Sequence, residues 1–244
     1  MDREAITAED YSQQPFRTTG MPILDSALGG GLPSGSVVYI YADVLSMAEL
    51  LLHQFTQSRS SYYFSTNRRA EYVARDIRGF GLKTEDITFI DVNGEFYESY
   101  HREKIDPKVV YPNMLEFTEY HLNKILLNSS LKDVNIIFDS FSFYLNMNVN
   151  PELIKRLFCK IYDITKKLNC LTFLYGYKSA HPNNLENDIL SSCDAVLEVD
   201  IEKTSFGIAS KLLVPRIRGG VPITETIRFK VRGGIQLETT SEIA

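Results

Sequence analysis

The 244-residue sequence has no tryptophan and only three cysteines, Cys159, Cys170 and Cys193. The cysteines form no C-x-x-C pair, and no histidine stands near them at the spacing of metal ligands. The sequence therefore indicates neither a zinc site nor a disulfide framework. We expect the cysteines to be small core residues and expect no bound metal.

Long apolar runs are also missing from the sequence. None approaches the ~20 residues that a membrane-spanning helix needs. The first residues, "MDREAITAEDYSQQPF", are polar and acidic, whereas a signal peptide is basic and then apolar. The formal net charge of -5 argues against a protein that coats nucleic acid through bulk charge. These features predict a cytoplasmic protein with no membrane partner.

The chain is predicted to form one domain, residues 17–244, after a polar lead over residues 1–16. The glycine-rich segment "TTGMPILDSALGGGLPSGS", residues 18–36, predicts tight turns around one short helix at residues 23–28. Beyond it, apolar runs alternate with helical patterns. The apolar runs cover residues 37–41, 62–65, 87–91, 134–139 and 171–175, and the helical patterns cover residues 46–58, 69–80, 114–128 and 151–168.

This alternation predicts a doubly wound α/β fold, in which a parallel sheet carries helices on both faces. Beyond residue 194 the pattern changes to strands separated by glycine turns, which predicts an antiparallel extension of the sheet. Residues 97–112, "YESYHREKIDPKVVYP", are interpreted as a long polar connection between the third strand and the third helix.

The turn after the first predicted strand lacks the residues of a phosphate loop. The pattern G-x-x-x-x-G-K-[ST] supplies backbone N–H groups, a lysine and a hydroxyl to a nucleotide. At its four defining positions this sequence has Ala42, Met47, Ala48 and Glu49. The side chains of Leu45 and Met47 oppose the positive φ that such a loop uses, and Glu49 opposes phosphate by charge.

The same residues also suggest an ordinary helix start. Ser46 followed by Glu49 has the spacing of a capping box, in which a hydroxyl and a carboxylate bind the first N–H groups of a helix. We therefore expect the helix to be closed by its own side chains where a phosphate would otherwise bind.

Residues 18–36, the strand "VNIIFDSFS" and the closing "KLLVPRIRGG" resemble the KaiC-like branch of the RecA/RadA superfamily of ATPases. The resemblance runs from about Thr18 to Leu237 and implies a RecA-like sheet of the P-loop NTPase type. In that family ATP and magnesium bind between adjacent subunits of a ring or filament. The resemblance implies that Asp139 corresponds to the Walker B aspartate, although a carboxylate at a strand end is also a common structural residue.

Other family positions are changed in this sequence. Asn67 and Arg68 stand where the family has two adjacent glutamates, and neither can act as a general base at neutral pH. Arg216 and Arg218 resemble the K-x-R pair that reaches a neighbouring subunit's nucleotide. Alternating arginines on an exposed hairpin are an equally good interpretation.

A basic region near the C-terminus favours an acidic partner, either protein or nucleic acid. It contains Lys211, Arg216, Arg218, Arg228, Lys230 and Arg232, with Glu225 as the one acid between residues 211 and 232. Solvated strand faces give the same composition. The segment that holds Tyr175, Tyr177, Lys178 and His181 lies where DNA-binding members of the superfamily contact DNA.

These observations predict a pseudo-ATPase. The family's ATP and magnesium would be lost, no catalytic residue would remain, and the chain would serve as a regulatory or protein-interaction subunit, as in signal transduction. It would pair with itself or with an active relative.

The alternatives are a DNA-binding recombination or repair accessory protein, a nucleotide binder without hydrolysis, and a residual ATPase that recruits Lys178 or Lys211. The four histidines, His53, His101, His121 and His181, lie far apart and form no catalytic constellation. His53 is expected at a boundary of the core.

Overall fold

A computed structural model describes residues 15–102, 104–128, 133–204, 207–220, 222–231 and 235–239. The strands are β1 (Phe16–Arg17), β2 (Leu32–Pro33), β3 (Val37–Ala42), β4 (Ser61–Ser65), β5 (Ile87–Asp91), β6 (Asn135–Asp139), β7 (Leu171–Tyr177), β8 (Ala195–Thr204), β9 (Gly207–Ile217), β10 (Ile223–Val231) and β11 (Ile235–Thr239). The α-helices are α1 (Pro22–Ala27), α2 (Glu49–Phe55), α3 (Ala70–Gly79), α4 (Val92–Tyr97), α5 (Pro107–Leu127), α6 (Ser142–Leu145), α7 (Pro151–Leu168) and α8 (Asn183–Ser192), and a π-helix covers Glu98–Arg102.

One nine-stranded sheet organises the fold, in the order β11-β10-β9-β8-β3-β7-β6-β4-β5. Every pair among β8, β3, β7, β6, β4 and β5 is parallel, and the pairs from β8 to β11 are antiparallel. The predicted fold class is therefore confirmed, including the antiparallel extension. β1 and β2 form a separate two-stranded pairing before β3.

The core lies on both faces of this sheet because successive strand residues point to opposite sides. In β3, Val37 and Tyr39 pack with residues of α5 and α7. Val38 and Ile40 pack on the other face with residues of α1, α2 and α3. Helices thus cover both faces, as the alternating pattern predicts.

The starts of two predicted helices and one predicted connection are wrong. α2 starts at Glu49 rather than at residue 46, because residues 43–48 form a turn. α5 starts at Pro107 rather than at residue 114, because the Asp106 side chain caps it by accepting a bond from Lys108 N and proline suits the first helical position. The predicted connection over residues 97–112 is therefore largely helical.

The cysteine prediction is right for two of the three positions. Cys170 and Cys193 are buried, and burial raises the pKa of the Cys170 thiol to about 11. Cys159 on α7 is exposed, so it is not a core residue. Among the residues placed by the structure, no helix has both the length and the apolar character to cross a membrane.

Candidate ligand site at the carboxyl edge of the sheet

The carboxyl ends of β3, β4, β6 and β7 bring the sequence-predicted site residues to one edge of the sheet. The turn 43–48 follows β3, Asn67 follows β4 by one residue, and Asp139 ends β6. In open parallel sheets, ligands bind at this edge. It is therefore the candidate site.

The turn 43–48 is organised by Asp43. Its carboxylate accepts a hydrogen bond from Leu45 N at 2.8 Å. Its carbonyl accepts bonds from Ser46 N at 3.0 Å and from Ser46 Oγ at 2.6 Å. Ser210 Oγ on β9 donates to the Ser46 carbonyl at 2.6 Å and ties the turn to the sheet. The turn is thus held by side chains of the protein.

The predicted capping box is wrong. Ser46 lies outside the helix, and its hydroxyl binds the Asp43 carbonyl. Ala48 is the residue before α2 and makes no side-chain cap. The helix opens with tight backbone bonds from Leu50 N to the Met47 carbonyl and from Leu51 N to the Ala48 carbonyl. The Asp43 carbonyl therefore takes the serine hydroxyl that would otherwise cap the helix.

The turn presents apolar side chains to solvent. Val44 is 60% exposed, Leu45 is 75% exposed and Met47 is 44% exposed. Ala42 and Ala48 are buried on either side of them.

Met47 also corrects an expectation about the backbone of this turn. Its φ is +54°, although the sequence argument held that a side chain would oppose this conformation. The left-handed region costs a non-glycine residue roughly 1–2 kcal/mol. The turn therefore keeps a left-handed residue without using glycine there.

Asp139 is buried at the end of β6. Tyr63 Oη donates a hydrogen bond to its Oδ2 at 2.8 Å. Burial raises the pKa of Asp139 to about 6, the Tyr63 bond and the Arg68 charge oppose that shift, and Glu49 adds to it. The peptide bond between Asp139 and Ser140 is cis. At neutral pH this site therefore holds a carboxylate in a poorly solvated place.

The side chains at the family's glutamate positions are engaged within the protein. Asn67 Nδ2 donates to Tyr177 Oη at 2.9 Å, and Ser140 Oγ donates to Asn67 Oδ1 at 3.5 Å. Arg68 Nη1 donates to Asp76 Oδ2 at 2.5 Å. These two side chains connect β4 with β6, β7 and α3.

Lys178 lies beside the turn but is paired with acids. Its Nζ donates to Glu198 at 2.7 Å and to Asp200 at 2.5 Å. Asp200 in turn lies opposite Lys211 in the β8–β9 register. Both lysines that the sequence suggested as substitutes thus lie against acidic residues of β8.

The predicted DNA-contacting segment is folded inward at His181. Its Nδ1 lies 2.8 Å from Glu186 Oε1, and Tyr39 Oη donates to the same oxygen at 3.1 Å. All three side chains are buried. Glu186 therefore joins α8 to β3 through Tyr39, and His181 holds the same carboxylate from the segment before α8.

Arg216 lies opposite the start of β8, toward the amino edge of the sheet, whereas Arg228 pairs in register with Lys211, the neighbour of the Ser210 that bonds the turn. Arg216 and Arg218 donate to carbonyls at the end of α8, both reaching Ser191 at 2.7 Å. Arg228 forms an ion pair with Glu202 at 2.6 Å. The side chain of Lys230 and the whole of Arg232 lie outside the described residues. The arginine pair donates to carbonyls at the end of α8 in this chain. Its role in contact with a neighbouring subunit stays a prediction.

Several residues that shape the site were missed by sequence reasoning. Asp43 carried a readable signal, since it directly follows a buried strand. Tyr63 and Ser210 carried none, because each meets the site only through sheet pairing. His53 was expected at the core boundary, yet it is only 1% exposed.

Solved structures of other proteins share this architecture. The flagellar accessory protein FlaH of Methanocaldococcus jannaschii superposes with a TM-score of 0.69 at 18% identity, over 92% of this chain and 98% of that one. A KaiC-like protein of Pyrococcus horikoshii superposes with a TM-score of 0.67 at 16% identity, over 93% of this chain and 100% of that one. At these identities the similarity shows the fold, and it supports the KaiC-like, RecA-type architecture.

Sequence comparison gives a family without an assigned activity. No curated protein matches the sequence. Residues 17–244 match the model of DUF7125, which is described as a family of unknown function, and the chain belongs to that family.

Proposed function

We propose that this protein is a catalytically inactive RecA-type ATPase fold that acts as a regulatory or protein-interaction subunit. The turn 43–48 carries this proposal. It offers exposed Val44, Leu45 and Met47 where an ATPase of this fold holds phosphates. Apolar side chains that cluster at a ligand edge favour contact with another protein.

Charge at the same edge argues against a polyphosphate. Asp43, Glu49 and Asp139 lie in or next to the turn, and Lys178 is paired with Glu198 and Asp200. A phosphate near Glu49 would pay about 4 kcal/mol for one like-charge pair at ~4 Å and an effective dielectric of 20. Nothing in the paired Lys178 offsets that cost.

Hydrolysis would also need a base, and the residues at the family's positions are unsuitable. Asn67 has no basic site, and its amide is engaged with Tyr177 and Ser140. Arg68 stays protonated and bonds Asp76. Loss of the base supports inactivity independently of the turn.

Isothermal titration of the full chain with ATP and magnesium tests the loss of binding. We expect no heat of binding, and micromolar affinity would contradict the proposal. A turnover assay on wild type and Asp139→Ala separates the alternatives. Binding without turnover would favour the nucleotide binder, and turnover that Asp139→Ala abolishes would favour the residual ATPase.

The interaction role is tested on the turn itself. The double change Val44→Ser and Leu45→Ser should weaken self-association or capture by an active relative roughly tenfold, because two exposed apolar contacts are removed. Native mass measurement and a binding titration give the readout. Leu127→Ser, at an apolar residue of α5 that is 81% exposed, is the matched control. Equal effects of both variants would contradict a specific role of the turn.

DNA binding through Arg228, Lys230, Arg232 and the segment of Tyr177 and Lys178 stays a prediction. Of these residues, Arg228 pairs with Glu202 within the chain. Binding to single-stranded DNA that weakens steeply with salt would favour it.

A further inference from the structure

A second concave region lies between α2 and α3, beside the turn 43–48. It is a pocket of about 480 Å³, a size within the range of small-molecule sites. Its walls include Met47, Leu50 and Phe80 as apolar groups and His53 as a polar one. Glu49, Arg68, Arg75 and Asp76 add charge to the lining.

The histidine in this wall has unused hydrogen-bonding capacity. His53 is almost fully buried, and neither ring nitrogen has a hydrogen-bond partner among the residues that the structure describes. Its nearest aromatic neighbours, Tyr63 and Phe80, lie at centroid distances of 6.4 and 6.5 Å and offer no bond to it. Burial lowers the pKa of His53 to about 4, and Arg68 adds to that shift. A neutral imidazole therefore stands in the wall with one donor and one acceptor to satisfy.

Charged groups of both signs line this pocket. Arg68 and Arg75 share one carboxylate, since Arg68 bonds Asp76 Oδ2 and Arg75 bonds Asp76 Oδ1. That group carries one net positive charge. Glu49 has no ion-pair partner within the described part of the chain and supplies one negative charge. The lining is neutral in sum and contains groups of both signs, which disfavours a polyanion and suits a molecule that carries both charges.

We propose that the pocket between α2 and α3 binds a small zwitterion with an apolar body, of the size and chemistry of a free α-amino acid. The carboxylate of the ligand faces the two arginines, its ammonium group faces Glu49, and its side chain packs against Met47, Leu50 and Phe80. The ring nitrogens of His53 have no exposed surface in this conformation, so a hydrogen bond from His53 to the bound molecule requires the ring or the side chains that cover it to move. The pocket shares Met47 with the turn 43–48, and its proposed ligand belongs to a different chemical class from ATP.

Binding can be tested by thermal unfolding of the full chain with L-leucine, L-methionine and L-phenylalanine. At a ligand concentration about a hundred times Kd, we expect a rise in Tm of the order of 5 °C. The matched probes are 3-phenylpropionate, which lacks the ammonium group, and phenethylamine, which lacks the carboxylate. Both should give a much smaller rise. Equal shifts with all probes, or none with any, would overturn the proposal.

Gly79 gives a way to close the pocket without breaking the fold. A Cβ built at this residue meets nothing within 4 Å, and the glycine lines the pocket. Gly79→Trp should fill the space and abolish the shift in Tm, whereas Gly79→Ala should keep it. If Gly79→Trp still responded to the amino acid like Gly79→Ala, the ligand would lie elsewhere and the proposal would fail.

The charge assignment has its own control. Glu49→Gln should weaken amino-acid binding roughly tenfold, because the partner of the ammonium group is removed. Glu71→Gln removes an exposed acid of α3 that does not line the pocket, and it should leave binding unchanged. Nitrogen chemical shifts of the His53 ring should change when ligand is added. Unchanged shifts in ligand-saturated protein would mean that water alone serves the ring, and would overturn the role of His53.

Discussion

The two edges of the parallel sheet are built differently. At the amino edge, Gly29, Gly30 and Gly31 precede β2 and Gly35 lies between β2 and β3, all at positive φ. At the carboxyl edge, the turn after β3 has no glycine and places Met47 at positive φ. Glycines thus adopt positive φ without a steric penalty before β3, whereas a methionine adopts positive φ at a cost after it.

Their buried acids differ in the same way. At the amino edge, Asp194 accepts bonds from Val37 N and Lys166 Nζ at 2.8 Å and from Tyr162 Oη at 3.2 Å. At the carboxyl edge, the carboxylate of Asp139 accepts a bond from Tyr63 within the described residues. Departures from local rules concentrate at functional sites. The amino edge serves stability, and the carboxyl edge is the place to look for function.

The largest expected effect is at Gly31. A Cβ there would lie 2.1 Å from the Arg17 carbonyl oxygen, and φ is +126°. We expect Gly31→Ala to lower the free energy of unfolding by about 4 kcal/mol, the range of severe backbone clashes. Urea unfolding measures it.

Gly29→Ala is the control for backbone conformation without a clash, since a Cβ at Gly29 meets nothing within 4 Å. It should cost about 1 kcal/mol. Equal losses of unfolding free energy in Gly31→Ala and Gly29→Ala would contradict the idea that the close approach of Arg17 to Gly31 requires glycine there.

The next effect is at Asp139. Its folded pKa of about 6 lies above the usual 3.8, so its contribution to stability is complete below pH 3.8 and is lost as pH rises through 6. Asp139→Asn keeps an acceptor for Tyr63 but cannot ionise. We expect the free energy of unfolding of this variant to exceed that of wild type by about 3 kcal/mol at pH 8 and to differ little from it at pH 4. Urea titrations at both pH values check this.

Asp194→Asn is the matched change at the amino edge. It removes the charge that Lys166 pairs with and should destabilise the protein at pH 8 by about 2 kcal/mol. Opposite signs for the two aspartates would sharpen the difference between the edges. A loss of stability in Asp139→Asn at pH 8 would show that the retained carboxylate serves the fold.

The smallest effect is expected at Met47. Met47→Gly relieves the left-handed strain but increases the freedom of the unfolded chain, and it removes the contacts of a side chain that is 44% exposed. We expect the free energy of unfolding to change by less than about 1 kcal/mol. Chemical denaturation of Met47→Gly is compared with that of Met47→Ala, which keeps a Cβ. The difference between the two variants gives the backbone contribution. A large gain for glycine alone would mean that this turn stores more strain than its geometry indicates.

Pattern and turn chemistry alone gave most of the fold. The alternating periods predicted the parallel sheet, and the bounds of β5 and α7 agree with prediction to the residue. The absence of glycine and lysine from residues 42–49 is visible in the sequence itself, because a phosphate loop depends on residue type at fixed spacing. The predicted starts of α2 and α5 are less accurate. The Asp43 carbonyl binds the Ser46 hydroxyl outside α2, and Pro107 begins α5 earlier than predicted.

What the sequence determined by itself was the order of elements and the absence of phosphate-loop residues, because both follow from local residue type. Tertiary structure decided which groups meet. Asp43 captures the Ser46 hydroxyl, Asp76 takes Arg68, and His53 is enclosed between two helices without a partner among the described residues. The geometry of the packed sheet and helices decides these outcomes, because it sets which of several possible partners each group can reach.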